Sequence, residues 1–251
     1  MGINVTRQDE ILSLLQEKKY ITVADLSNIL HLSQSSVRRD LQTLQAKGVI
    51  HRHYGGVSLA VPDLFNVPYS MRLKICSKEK KLMAAKAAKL IKDNETIFLP
   101  ASTTTLYLAQ ELIHKKGLTI ITNDIQILHF FADYHQIKVI CPGGTLDPED
   151  HFALVGYDTI RSLEKMRADW AFFSPQTMDN EGVLFDYYRE QVAVSMTMLH
   201  CARHRVCLCD NSKIGKISSF VVNNLEAFDY LISDVDLHSK YGKQFPQLRI
   251  L

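Results

Sequence analysis

Between residues 7 and 46, apolar positions return at helical spacing in three successive stretches. In RQDEILSLLQEKK the apolar set is Ile11, Leu12, Leu14 and Leu15, with acids early and lysines late, as the helix dipole prefers. Ile21 leads into Thr22, a cap for VADLSNIL, whose Val23, Leu26 and Leu30 form the second stripe. HLS makes a turn, and Ser33 caps a third helix predicted from Gln34 to Ala46, with Val37, Leu41 and Leu44 on its buried face. After Gly48, VIHRHYGGVSL reads as apolar strand, basic turn, Gly-Gly bend and second strand, a β-hairpin.

The pattern changes beyond residue 59. AVPDLFNVPYSMRLK holds two prolines and no strong periodicity, so residues 60–75 are expected to link a first domain, 1–59, to a second, 76–251. SKEKKLMAAKAAKLIKD predicts a helix with Leu82, Ala85 and Leu90 inward and its lysines on a solvated face. Short apolar runs follow at 96–99, 118–122, 137–141, 169–174, 205–209 and 229–233. Helical patterns fall between several of them, at 103–115, 124–132, 156–166 and 188–203. Such alternation predicts an α/β fold, a mostly parallel sheet covered on both faces, behind the small helical domain.

Composition narrows the class. With 46% apolar and 22% charged residues the chain is globular. No apolar run reaches the roughly 18 residues of a membrane span. The polar start, MGINVTRQDEILSLL, lacks a secretory core; MGINVT fits a loose myristoylation pattern that the fold leaves unused. The five cysteines form no CxxC pair, and Cys207 and Cys209 alternate along RVCLCD, so buried reduced thiols are expected and neither a metal nor a cofactor. These features point to a cytoplasmic protein. A net charge of +2 is too small to attract a polyanion by itself, so local arrangement must do it.

That arrangement is present. At about 100° per residue, Ser35, Arg39 and Gln42 point directly away from the Val37/Leu41/Leu44 stripe. Ser36 and Thr43 flank them on one side and Arg38 on the other. A tight turn followed by a helix with a donor-rich outer face suits the major groove of double-stranded DNA, where arginine pairs bidentately with guanine. The hairpin would lay Arg52 and His53 beside phosphates or in the minor groove. The expected DNA-contact set is Thr22, Ser33, Gln34, Ser35, Ser36, Arg38, Arg39, Gln42, Arg52 and His53. The stretch VADLSNILHLSQSSVRRDLQTLQAKGVIHRHYGGVSL closely resembles the winged helix of DeoR-type bacterial repressors, whose pattern includes Ser-x-x-Thr-Ile-Arg-Arg-Asp-Leu. Ser36-Val37 stand for Thr-Ile, Arg38 to Leu41 match directly, and Tyr54 stands at or beside the position of the wing histidine.

In parallel α/β sheets, ligands bind beyond the carboxyl ends of the strands. Here those ends read Pro100-Ala101-Ser102-Thr103-Thr104-Thr105, Thr122-Asn123-Asp124, Pro142-Gly143-Gly144, Ser174-Pro175 and Asp210-Asn211-Ser212-Lys213. Four hydroxyl residues opening a helix favour an anion such as phosphate, with Lys213 as a source of positive charge. The expected effector set is Ser102, Thr103, Thr104, Thr105, Asn123, Asp124, Gly143, Gly144, Asp210 and Lys213. This half resembles the effector domain of the same repressors, which is similar in fold to sugar-phosphate isomerases. Thr103-Thr104, Thr122-Asn123-Asp124, Gly143-Gly144 and Asp210/Lys213 fit its pattern. Pro100, Ser102 and Ser174 depart from its usual Asp, Gly and Gly, and Ser195 stands where a lysine is usual, so an altered pocket is expected.

The resemblance implies a repressor of carbohydrate-metabolism genes that binds operator DNA as a homodimer or homotetramer and is released by a phosphorylated sugar, not an enzyme. Two alternatives remain: an isomerase-like enzyme acting on a sugar phosphate, with Asp124 or Asp210 as base, and a repressor whose second domain only oligomerises.

Overall fold

The computed structural model describes residues 7–18, 20–46, 48–59, 67 and 69–251. MGINVT and residues 60–66 and 68 of the expected linker lie outside the described residues. The chain divides into two compact units, one running to Ser77 and the other from Lys78.

The first unit holds α1 (Arg7–Lys18), β1 (Tyr20–Thr22), α2 (Val23–Ile29), α3 (Gln34–Ala46), β2 (Ile50–His53) and β3 (Gly56–Leu59). β1, β3 and β2 pair antiparallel in that spatial order. Thr22 caps α2 by accepting from Asp25 N at 3.0 Å. Ser33 accepts from Ser36 N at 3.3 Å at the start of α3. Between these helices His31 takes a left-handed conformation, φ 53°, and reverses the chain. The core gathers Ile11, Leu12, Leu15, Leu26, Val37, Leu41 and Leu44, the stripes that the periodicity marks. Asp40 joins this buried face of α3, where its carboxylate meets Arg7 of α1: Nη2 donates to Oδ1 at 2.8 Å and Nε lies 2.5 Å from Oδ2. Hydrogen bonding and charge attraction from Asp40 raise the Arg7 pKa further. Within the expected linker, Tyr69–Arg72 form a helical turn, α4, and Val67 and Met71 pack into this same core.

The wing needs its glycines for two different reasons. Gly55 has φ +85°, the left-handed region, with open space around it. A Cβ on Gly56 would lie 2.3 Å from Tyr20 Oη and 2.8 Å from Ile21 O, because β1 runs against it.

The division falls at the first residue of α5 (Ser77–Ala88), with which the second unit opens. It continues β4 (Thr96–Leu99), α6 (Thr103–Glu111), β5 (Thr119–Thr122), α7 (Ile125–Phe130), β6 (Lys138–Ile140), β7 (Thr145–Leu146), β8 (Leu154–Val155), α8 (Tyr157–Leu163) and β9 (Ala168–Phe173). Then come β10 (Thr177–Met178), β11 (Val183–Asp186), α9 (Arg189–His200), β12 (Ala202–Leu208), β13 (Phe220–Asn224), β14 (Tyr230–Ile232), α10 (His238–Tyr241) and β15 (Arg249–Ile250). Seven strands form one sheet in the order β15-β14-β12-β9-β4-β5-β6, every pairing parallel. Phe98, Ala171, Phe173 and Cys207 share a cluster with Leu163 of α8 and Met198 of α9. Their neighbours Ile97, Leu99, Phe172, Val206 and Leu208 point the other way and are also buried, so the sheet is covered on both faces.

Two sequence expectations are corrected. On α5, Leu82 is 47% exposed, while Met83, Ala84 and Ala87 are buried, and so is Lys80, against the solvated face expected of the lysines; small alanines mark the face that approaches its neighbours closely. An antiparallel sheet, β10-β11-β13, was not expected, since β10 has only two residues and β13, FVVNN, does not alternate apolar with polar positions. No helix among the described residues is long and apolar enough to cross a membrane.

Cys207 and Cys209 are both fully buried on one side of the sheet, as the alternation predicts. Burial pushes the Cys207 thiol up to about 12 against the pull of Lys213, and raises Cys209 as well. In the folded chain a disulfide reagent at mildly alkaline pH therefore modifies exposed Cys141 rapidly and leaves Cys207 and Cys209 untouched until denaturant is added; mass mapping of the labelled thiols reads the outcome. Gly56→Ala is expected to lower unfolding stability by ~1–3 kcal/mol, the usual cost of overpacking, in a chemical-denaturation measurement.

Candidate functional site

The outer face of α3 is built by what it does not bury. Gln34, Ser35, Arg38, Arg39, Gln42 and Thr43 are exposed, and Ser36 is partly so. The hydroxyls at the helix start are bonded to one another, with Ser33 Oγ 3.0 Å from both Ser35 Oγ and Ser36 Oγ. Thr22 is partly buried, and its hydroxyl donates to Asp25 Oδ2 at 2.7 Å in addition to capping α2. Thr43 donates to the backbone carbonyl Arg39 O at 3.1 Å, and the side chains of Arg39 and Gln42 are both exposed. In the wing Arg52 and His53 are exposed, and His53 Nε2 lies 2.8 Å from Ser58 Oγ. Tyr54, at the tip, is fully exposed.

Helix and wing meet in a notch of about 300 Å³. Its walls include Gln34 and Arg38 of α3, Arg52, His53 and Gly55 of the wing, and Val23 at the start of α2. A hydrogen bond from Val23 N to Gly55 O, 3.3 Å, ties the wing to α2 there. No acid lines it.

In the second unit, strands β4, β9 and β12 are neighbours, so their carboxyl ends fall side by side. β4 ends at Leu99, Pro100 follows it, and Ser102 caps α6 by accepting from Thr105 N at 3.1 Å. Thr105 is fully buried and donates to Pro100 O at 2.8 Å. Thr103 and Thr104 are buried as well. From β9, Ser174 Oγ donates to Thr104 Oγ1 at 3.1 Å and accepts from Lys213 Nζ at 2.9 Å. Lys213 also donates to Pro175 O at 2.7 Å. Asp210, just past β12, is 1% exposed and accepts from Ser212 N and the Ser212 hydroxyl through Oδ1. Its Oδ2 lies 3.9 Å from Lys213 Nζ, an ion-pair distance, and has no hydrogen-bond partner among the described residues.

The other expected effector residues serve neighbouring loops. Asn123 accepts from Ala101 N and donates to Leu154 O, both at 2.9 Å. Asp124 caps α7 through Gln126 N and Ile127 N. Gly144, φ +123°, lies so close to the α8 helix that a Cβ would sit 1.9 Å from Thr159 Oγ1, while Gly143, φ +80°, has open space. Ser195 is buried on α9. Ser174 was visible at the end of its strand, but its bonding to Lys213 and Thr104 links residues 39 and 70 positions away and leaves no local pattern.

Residues 7–62 match the DeoR-like helix-turn-helix domain, and residues 75–235 match the DeoR C terminal sensor domain. The chain is 33% identical over 239 residues to the HTH-type transcriptional regulator GolR of Listeria innocua, covering 95% of this chain and 94% of that one. It is 29% identical over 228 residues to the HTH-type transcriptional repressor CsqR of Escherichia coli, covering 91% and 87%. It is 25% identical over 228 residues to the glycerol-3-phosphate regulon repressor of Escherichia coli, covering 91% and 90%. With both halves matched in order and relatives aligned along nearly their whole length, the chain belongs to the DeoR family of DNA-binding transcriptional repressors.

Proposed function

We propose that the α/β unit binds a phosphorylated sugar at the carboxyl ends of β4, β9 and β12, and that this binding releases the winged helix from operator DNA. The observation that carries the reading is the buried pair Lys213 and Asp210. A buried ammonium has three donors and a buried carboxylate needs donors of its own. Two Lys213 donors are used on Ser174 and Pro175, and Asp210 Oδ2 is left at 3.9 Å, beyond hydrogen-bonding range. A ligand hydroxyl seated between them accepts from the lysine and donates to the aspartate. The first turn of α6, with Ser102, Thr103 and Thr104, supports the anionic end of the same ligand. A relative named for a glycerol-3-phosphate regulon is in keeping with a small phosphorylated polyol or sugar.

On the DNA side, Ser35, Arg39 and Gln42 read base edges. The protein works in the cytoplasm as a homodimer or homotetramer, because one recognition helix contacts too few base pairs for specificity. The effector acts by binding one conformational state better than the other and so shifting the DNA-competent population.

Thermal shift of the full chain against a panel of sugar and polyol phosphates, each beside its unphosphorylated form, tests the sensor. One phosphorylated compound near 100 times its Kd is expected to add ~2.7 kcal/mol of stability. Lys213→Ala is expected to lose that response while still binding operator; an unchanged response removes Lys213 from the site. Arg39→Ala is expected to weaken binding to an operator selected in vitro by ~1–3 kcal/mol and to relax its sequence preference. Equal losses on selected and random DNA would make Arg39 a backbone contact instead.

A further inference from the structure

We infer that Arg38 and Arg52 clamp a single DNA phosphate in the notch between α3 and the wing. The inference rests on the reading of the first unit as the operator-binding unit and divides the labour within it. Arg38 and Arg52 come from different elements, are both exposed, and line one concavity of about 300 Å³. Neither guanidinium makes a hydrogen bond or ion pair among the described residues, and no carboxylate among them lines the notch to answer the two charges. Two like charges held on one small concave surface repel until an anion sits between them. A phosphodiester supplies one negative charge and two free oxygens, one for each guanidinium fork.

Shape separates this role from base reading. Base edges lie on the floor of a groove and are reached by side chains that protrude, whereas the phosphate backbone is a ridge and fits a concavity. Arg39 is about 100° around α3 from Arg38, on the protruding face with Ser35 and Gln42. Arg38 is turned toward the wing. Adjacent arginines in the same motif therefore do different work: Arg39 protrudes toward the bases, and Arg38 anchors the backbone with a partner from the wing.

The test is the salt dependence of DNA binding by the full chain, measured by fluorescence anisotropy on a random-sequence duplex and on an operator duplex selected in vitro. Arg38→Ala, Arg52→Ala and the double variant are compared with wild type, and unchanged melting temperatures check folding. Each phosphate neutralised contributes about 0.9 to the slope of log affinity against log salt. A shared phosphate predicts that the double variant loses about 0.9 in all, with affinity falling by the same factor on both duplexes. A loss of about 1.8 would mean two separate phosphates and overturn the clamp. So would an unchanged slope, or a loss confined to the selected duplex, which would make Arg38 or Arg52 a base reader. Failure of the wild type to bind either duplex would overturn the operator-binding reading together with the clamp.

Discussion

A lysine ammonium that has left water must be answered on all sides, and the carboxyl edge of the seven-stranded sheet is arranged around that requirement. Lys213 is 8% exposed. Its partners are a hydroxyl and a carbonyl just beyond β9, and Asp210 brings a countercharge from the end of β12. Ser174 passes the network on to Thr104 at the start of α6. Such a network forms only when β4, β9 and β12 are adjacent, so the strand order and the buried charge depend on each other. Directly below it the sheet carries Cys207 and Cys209 as neutral thiols, which add no further charge to a region already holding two.

The first unit meets a comparable requirement at a different place. Asp40 turns inward on the face of α3 that holds Val37, Leu41 and Leu44, and its carboxylate is met by Arg7 from α1. That ion pair couples the first helix to the third and helps fix the rotation of α3 about its axis. The same rotation presents Arg39 outward and turns Arg38 to the wing. A buried charge pair is weak evidence for stability but a good device for orientation, and on a helix whose outer face has to meet its partner in one register, orientation matters.

Much of the fold was legible in the residues, and for identifiable reasons. α3 spans Gln34–Ala46 as its cap and stripe predict, and Thr22 and Ser33 cap the helices that follow them. The six short apolar runs of the second half all became strands of one parallel sheet, because a strand buried on both faces leaves an uninterrupted apolar run. What escaped were pairings across distance. Asp40 is matched in the motif, but its partner Arg7 lies 33 positions earlier and leaves no local pattern. The bonds of Asn123 to Ala101 and Leu154 likewise join residues 22 and 31 positions apart. Leu82 is exposed, while the smaller Ala84 and Ala87 hold the buried face.

The division at Ser77 has a consequence for the order of events during synthesis. Every strand of the seven-stranded sheet lies beyond that division, and β4 finds its neighbour β9 only after β5, β6 and the β7–β8 hairpin have intervened. The winged helix closes its core from residues that all precede that division. Domains fold as units, the earlier one first, as the chain leaves the ribosome. A nascent repressor therefore holds a finished recognition helix while the strand ends that bring Thr104, Ser174 and Lys213 together are still unmade.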